Sequence, residues 1–413
     1  MHFRTPPLAE ALTAVMIGLV ISPWHGVASA QEEASAQDDQ DTAIVTSGSS
    51  ETATLDPELN RLIEDLGANS FAVRERAANQ LMEKGPEILA PLRQASLQTS
   101  DPEIRLRTDQ LVQRMTAGDL QIRIDAFLSG EDVEFDGWMQ TQGFMGDSSG
   151  VREMFVELML EHPEITKSLA GSSRERFVAM AAGMGRVQNK MFVRLEVPSR
   201  ADVIAMLLPA NDPNVPVNQD FESLMISLLR KEAANNLHRD VQLGGPVDAL
   251  VSGWINRSSL NNRAEILFFA MSWDLSQSLP LARRTIVDAT SVETIAIALQ
   301  MISRFGDRAD AALVAERLDD TRVVSERGFA RGEKQTTQIG DVAMATIALI
   351  HGVALADIGF ERAQRHPTFS FMFDDLGFSS EEPEKGVTRK QVRERVDALL
   401  QNNVHAQEAV EPS

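Results

Sequence analysis

The stretch Ser70–Met115, SFAVRERAANQLMEKGPEILAPLRQASLQTSDPEIRLRTDQLVQRM, decides how this chain reads. Phe71, Ala77, Ala78, Leu81 and Met82 set apolar side chains on one helical face behind a capping Ser70, and Gly85 closes the run. Pro86 then falls in a first turn, where its missing N–H costs nothing, and Ile88, Leu89 and Leu92 make the face of a second helix. Ser100-Asp101-Pro102-Glu103 has capping-box spacing ahead of Ile104, Leu111, Val112 and Met115. Val73-Arg74-Glu75-Arg76-Ala77 returns 31 residues later as Ile104-Arg105-Leu106-Arg107-Thr108 in its β-branched and Arg positions. Recurrence at that period predicts stacked helical hairpins, an all-α fold of α-solenoid type.

The same pattern extends in both directions. Upstream, Leu59, Leu62, Ile63 and Leu66 lie at helical spacing before Gly67. A gapless shift of 221 residues pairs Ser70 with Ser291, Ala77 with Ala298, Leu81 with Ile302, Gly85 with Gly306 and Leu92 with Leu313. Both ends of the chain are therefore expected to use one supersecondary unit. Between and beyond them, helices are predicted at 151–161, 173–189, 199–208, 219–238, 246–257, 261–272, 279–289, 338–351 and 388–402. Thr388 and Gln391 form a capping-box pair for the last of these. Met191–Val197 is the best strand signal, and residues 129–150 and 321–340 read as loops, the second strongly charged.

The unit LGANSFAVRERAANQLMEKGPEILAPLRQA, followed by SDPEIRLRTDQL, resembles the HEAT-like units of exported bacterial proteins of uncharacterised function. The Gly137-Trp138 loop before VREMFVELM and the segment IGDVAMATIALIHG are similar to segments of that group. The resemblance implies an armadillo-type stack and an exported location. It brings no catalytic motif with it.

The ends agree with export. Arg4, an apolar run from Ala11 to Ser22 and the small-x-small triplet Ala28-Ser29-Ala30 read in order as a signal peptide over 1–30, cleaved near Ala30. The run is shorter than the roughly 20 residues of a membrane span, and Glu10 and Pro23 flank it. Residues 31–58 carry eight acids, no Lys or Arg, and many Ser, Thr, Ala and Gln, which predicts a disordered acidic linker. The expected order is then N-terminal hairpins at 59–116, a helical body at 117–320, a charged loop at 321–340, a helical cap at 341–402 and a disordered tail at 403–413.

Composition narrows the chemistry. The 413 residues carry 60 acids against 39 bases, a formal charge of −21 that repels phosphate backbones and anionic lipids. Nucleic acid is accordingly not an expected partner. With no cysteine, disulfides, thiol catalysis and cysteine-ligated zinc are excluded.

Three motifs bear on catalysis and a fourth on modification. Gly146-Asp147-Ser148-Ser149-Gly150 fits G-x-S-x-G, but no β-branched strand precedes it, so Ser148 or Ser149 is read as a helix cap and hydrolysis at Ser148 as the alternative. His238-Arg239-Asp240 copies a kinase triplet whose companion motifs are missing. His351 and His366, with Asp357 and Glu361 between, are the candidate metal ligands, although the His-Glu dipeptide of HEAT-like hydroxylases does not occur. Asn256-Arg257-Ser258 is a glycosylation sequon that matters only in a eukaryotic secretory pathway.

The expectation is a non-enzymatic module without cofactor or metal that binds another protein through a concave face or through Arg322, Arg327, Arg331 and Lys334. Trp138, Phe144, Trp254, Phe268, Phe269 and Trp273 are assigned to packing. Phe360, Phe369, Phe371, Phe373 and Phe378 do not share a helix face; they either cap the stack or offer a partner an apolar patch.

Overall fold

In the computed structural model, which describes residues 56–328, 334–379 and 387–408, Ser70–Met115 is helical on both sides of Gly85. Helix α1 (Pro57–Asp65) buries Leu59, Leu62 and Ile63; α2 (Phe71–Glu83) buries Ala77 and Leu81. Gly85 at φ +77° makes the left-handed turn that a side chain would resist. A 3₁₀ turn, Pro86–Ile88, then leads into α3 (Leu89–Gln98). Ser70 holds the cap position of α2 but its hydroxyl accepts no capping bond. Ahead of α4 (Pro102–Leu128) the cap is Asp101 rather than Ser100, because Pro102 fixes the first helical residue; Asp101 accepts Glu103 N–H at 2.8 Å.

Helix α4 corrects the boundary expected at 116. It packs on α2 and α3, and beyond α3's reach on a later helix of the body, so support at both ends carries it through Gly118. The chain divides into two units after Glu58, and the fold described here is that of the second. The signal peptide, the acidic stretch up to residue 55, Arg331 and residues 409–413 lie outside the described residues.

The body continues with α5 (Trp138–Met145), α6 (Ser149–Glu161), α7 (Pro163–Leu169), α8 (Ser173–Gln188), α9 (Arg200–Ala210) and α10 (Gln219–Leu229). It is completed by α11 (Glu232–Arg239), α12 (Gly244–Ile255), α13 (Arg263–Ser272), α14 (Leu279–Asp288), α15 (Val292–Phe305) and α16 (Ala311–Ala315). Three expectations change. The 129–150 loop contains α5, whose Trp138, Thr141 and Met145 are buried and whose entry turns at Gly137, φ +82°. The 219–238 helix breaks at Arg230-Lys231 into α10 and α11. Met191–Val197 is not a strand: α8 passes into a π-helical turn, Asn189–Val193, and the residues after it run free of any ladder.

The predicted charged loop is a β-hairpin. Strand β1 (Val323–Gly328) pairs antiparallel with β2 (Lys334–Gln338), and β2 with the short β3 (Phe378–Ser379), so β1 is a sheet edge. The β-branched pairs Val323-Val324 and Thr336-Thr337 supply the strand preference that the charges obscured. The register slips between Val323 and Ser325, leaving Val324 as a bulge. Helices α17 (Ile339–Ile350), α18 (Leu355–Ile358) and α19 (Arg389–Glu408) finish the chain. Helix α19 overruns the expected stop at 402, since Gln401–Glu408 contains no Gly or Pro.

The described residues are mostly helical, with 19 α-helices and little strand. One apolar core runs from Ile124 to Val396. Helices α9, α15 and α17 are buried on every side over most of their length and so must be enclosed by neighbouring elements. Helix α15 packs on α13, α14 and α17, and α17 on α19. The 221-residue echo holds in helix starts, Phe71 against Val292, and in the buried pairs Ala77/Ala298 and Leu81/Ile302. It fails at the glycines, because Gly306 has φ −79°. No helix among the described residues is long and apolar enough to cross a membrane.

Candidate functional site

Of the four basic residues expected to bind a partner, Arg322, Arg327 and Lys334 are described, and they are spread along the β1–β2 pair. Arg322 grips both oxygens of Asp320, at 2.9 and 2.6 Å, and gives a third bond to Thr290 O at 2.6 Å. It fastens the root of the hairpin. Arg327 and Lys334 sit at its far end, roughly 16 Å along the strand at 3.3 Å per residue.

The catalytic candidates are engaged in local structure. Ser148 accepts Val151 N–H at 3.3 Å as the cap of α6. Ser149 Oγ and Gly150 N–H both donate to Gln242 Oε1, at 3.1 and 2.6 Å. Asp147 receives two bonds from Arg152, at 2.6 and 2.9 Å, and the guanidinium holds its carboxyl below the usual range. Asp240 accepts Gln242 and Leu243 N–H ahead of α12, while His238 bonds Asp248 at 2.7 Å and stacks on Trp273. Burial pushes the Asp248 carboxyl up, against the opposing pull of His238.

His351 and His366 do not meet at a metal centre. Nδ1 of His351 lies 2.8 Å from Ile347 O, closing the end of α17. Nδ1 of His366 accepts the N–H groups of Thr368 and Phe369, at 3.2 and 3.0 Å. That nitrogen carries two donors already and has no lone pair left for a cation.

A different titratable cluster is assembled by tertiary packing. Glu161 and His162, where α6 gives way to α7, meet Asp202 in the first turn of α9; among the described residues only this group has metal-ligand spacing. Asp202 takes His162 Nε2 at 2.9 Å, Lys190 Nζ at 2.7 Å and Ser199 N–H at 2.7 Å. Burial alone raises its pKa, yet these three bonds hold the carboxyl well below the ordinary range. Lys190 Nζ also lies 3.8 Å from Glu161, so an ammonium already stands between the two carboxylates where a metal would sit. Arg186 pairs with Glu164 on the far side of His162. The cleft over this cluster, about 540 Å³, is therefore a closed ion-pair network fixing the α6–α9 junction.

A second concavity measures about 630 Å³ and is walled by Phe268 of α13, by Val292, Glu293, Ile297 and Gln300 of α15, and by both valines of β1. Successive strand residues normally face opposite sides; the bulge at Val324 lets Val323 and Val324 share this one. Phe369, Met372 and Phe373 close the remaining wall.

That wall is rigidly held. The His366 ring templates the turn, and His366 and Ser370 exchange backbone bonds of 2.8 and 2.9 Å. Gln300 Nε2 donates to Phe371 O at 2.6 Å, Arg304 to Thr368 O, and Thr337 Oγ1 to Phe373 O at 2.8 Å. Phe369 stacks between Phe268 and His366. Phe268, Val323 and Met372 are nonetheless 43 %, 44 % and 48 % exposed. An ordered apolar concavity open to water is what a docking site requires. Of the aromatics that fit no single helix face, Phe369 and Phe373 serve this groove, Phe360 and Phe371 are buried, and Phe378 rests on Phe360. Phe268, assigned to packing, belongs to the groove as well.

No protein-family model, no curated protein and no solved structure matches the chain.

Proposed function

We propose that this protein is a non-enzymatic interaction module, a HEAT-like stack of helical hairpins exported after cleavage near Ala30, which binds an extended apolar segment of a protein in the groove between α13, α15, β1 and the 366–373 turn. One observation carries the reading: Phe268, Val323 and Met372 are held exposed around a concavity whose walls are locked by hydrogen bonds from Gln300, Arg304 and Thr337. Keeping that surface wet costs about 25 cal/mol per Å², and a pre-ordered pocket recovers it on binding. The edge position of β1 favours an extended ligand, since the strand's outward backbone groups offer a ladder. Selection of a displayed random peptide library on the wild-type protein and on Met372→Glu tests this. Peptides with alternating apolar residues should be retained by the wild type and lost by the variant. Enrichment that is equal on both proteins, or absent on both, would overturn the reading.

A further inference from the structure

The ion-pair network at the α6–α9 junction is closed by a cation that fits it poorly. Glu161 and Asp202 set two negative charges around one ammonium, that of Lys190. The ammonium bonds Asp202 at 2.7 Å but stays 3.8 Å from Glu161, beyond hydrogen-bond reach. The other cations lining the cleft, Arg186 and Arg194, are paired with Glu164 and Glu196. Two carboxylates against one ammonium therefore leave one negative charge over, beside His162 and Asp202 side chains that are 4 % and 3 % exposed.

The donors are those a divalent transition metal takes. Glu161, His162 and Asp202 each offer one ligand atom, all within 4.8 Å of one another, and imidazole with carboxylate oxygens is a ligand set that zinc accepts. The carboxylates keep their aim without Lys190, because Ser199 donates its Oγ–H to Glu161 at 2.6 Å and its N–H to Asp202 at 2.7 Å. A second layer is in place as well. A metal-bound histidine gives its other ring N–H to a carboxylate, and Glu164 lies 3.8 Å from His162 Nδ1. Coordination through Nε2 puts the ring proton on Nδ1, and Arg186 then exchanges its 3.4 Å contact with that nitrogen for its existing pair with Glu164.

Lys190 is placed to leave. It belongs to the π-helical turn Asn189–Val193, a distortion that occurs mostly at functional sites, and its side chain is 24 % exposed. Its exit is the cleft of about 540 Å³ that it already lines. The lysine keeps its proton on leaving, and a doubly charged ion cancels both carboxylates where the ammonium cancels one.

We propose that Glu161, His162 and Asp202 bind a divalent cation of the zinc type, with Lys190 as the resident counter-ion that the metal displaces. The site is independent of the groove at α13, α15 and β1.

Calorimetric titration of the full chain with zinc chloride near neutral pH tests this. The wild type should bind a single zinc ion. Glu161 is half exposed, so Glu161→Gln should fold normally and bind zinc about tenfold or more weakly; Glu164→Gln should lose about tenfold through the histidine it supports. Lys190→Met should bind more tightly than the wild type, since no ion pair has to be broken first. A purely structural ion-pair network gives the opposite result, with no zinc taken up and no gain from removing the lysine. Absence of zinc binding in the wild type, equal affinity in Glu161→Gln, which would mark scattered surface acids, or weaker binding in folded Lys190→Met would each overturn the proposal.

Discussion

Arg389, in the first turn of α19, gives hydrogen bonds of 2.7 and 3.0 Å to the two carboxylate oxygens of Asp341, in the first turn of α17. The Asp341 side chain is fully buried and also accepts Gln338 N–H at 2.8 Å. Burial raises its pKa while Arg389 pulls it back. Replacing Arg389 with Ala leaves a buried carboxylate without its cation and should cost about 3 kcal/mol. An acid whose folded pKa is raised favours the folded state at low pH and loses that contribution as pH rises. The deficit of Arg389→Ala should therefore be larger near neutrality than near pH 4, as read by urea unfolding at the two pH values.

The Asp202 carboxyl has the opposite sign. Its pKa lies below the ordinary 3.8, so its contribution is complete above that value and disappears as pH falls toward the folded pKa. Wild-type stability should decline with acid through this window, and Asp202→Asn should be less stable at neutral pH yet show a flatter acid limb. Thermal unfolding between neutrality and about pH 2 separates the two curves. Parallel curves would mean that Asp202 is not the group responsible.

Ser148 and Arg152 give a test of the G-x-S-x-G string. The Ser148 hydroxyl caps α6, so Ser148→Ala should cost about 1 kcal/mol. Arg152 holds Asp147, donates to Phe127 O and Glu131 O, and lies over the rings of Phe127 and Trp138. Its loss should exceed that of the cap, at about 2–3 kcal/mol, because charged hydrogen bonds and ring contacts go together. A fluorophosphonate probe should leave Ser148 unmodified; covalent labelling there would reinstate the hydrolase alternative.

The first hairpins offer the plainest test of register. Leu81 is fully buried in α2, and Leu81→Ala should cost about 2–5 kcal/mol through the cavity it leaves. A change below about half a kcal/mol in chemical denaturation would place it on the surface.

The helices were legible because period and caps agree: Thr388 and Gln391 form the reciprocal box read from their spacing, with bonds of 2.9 and 3.3 Å. The hairpin at 323–338 was hidden because its alternation is broken at the Val323-Val324 bulge, the feature that turns both valines into the groove. The Glu161–His162–Asp202 cluster lies beyond any local pattern, since 40 residues separate the two buried partners. Met191–Val197 is β-rich in composition but not a strand: α8 carries on through Asn189–Val193 as a π-helical turn, so the local helix continues past the point where composition favours a strand.

His366 tests whether the groove wall depends on one ring. Its Nδ1 accepts two backbone N–H groups, and its face stacks on Phe369, which in turn stacks on Phe268. His366→Ala removes the acceptor and the stack together, which should cost about 1–3 kcal/mol for the N–H groups left behind. Asparagine carries a side-chain oxygen that accepts from the backbone two and three residues on, so His366→Asn should keep the turn while losing the ring. Hydrogen exchange at the Thr368 and Phe369 amides should accelerate in His366→Ala and stay near wild type in His366→Asn. Peptide retention in the groove should fall in both if the Phe369 stack matters, and only in the alanine variant if the turn alone does. Slow exchange in both variants would show that Gln300, Arg304 and Thr337 hold the wall without the histidine.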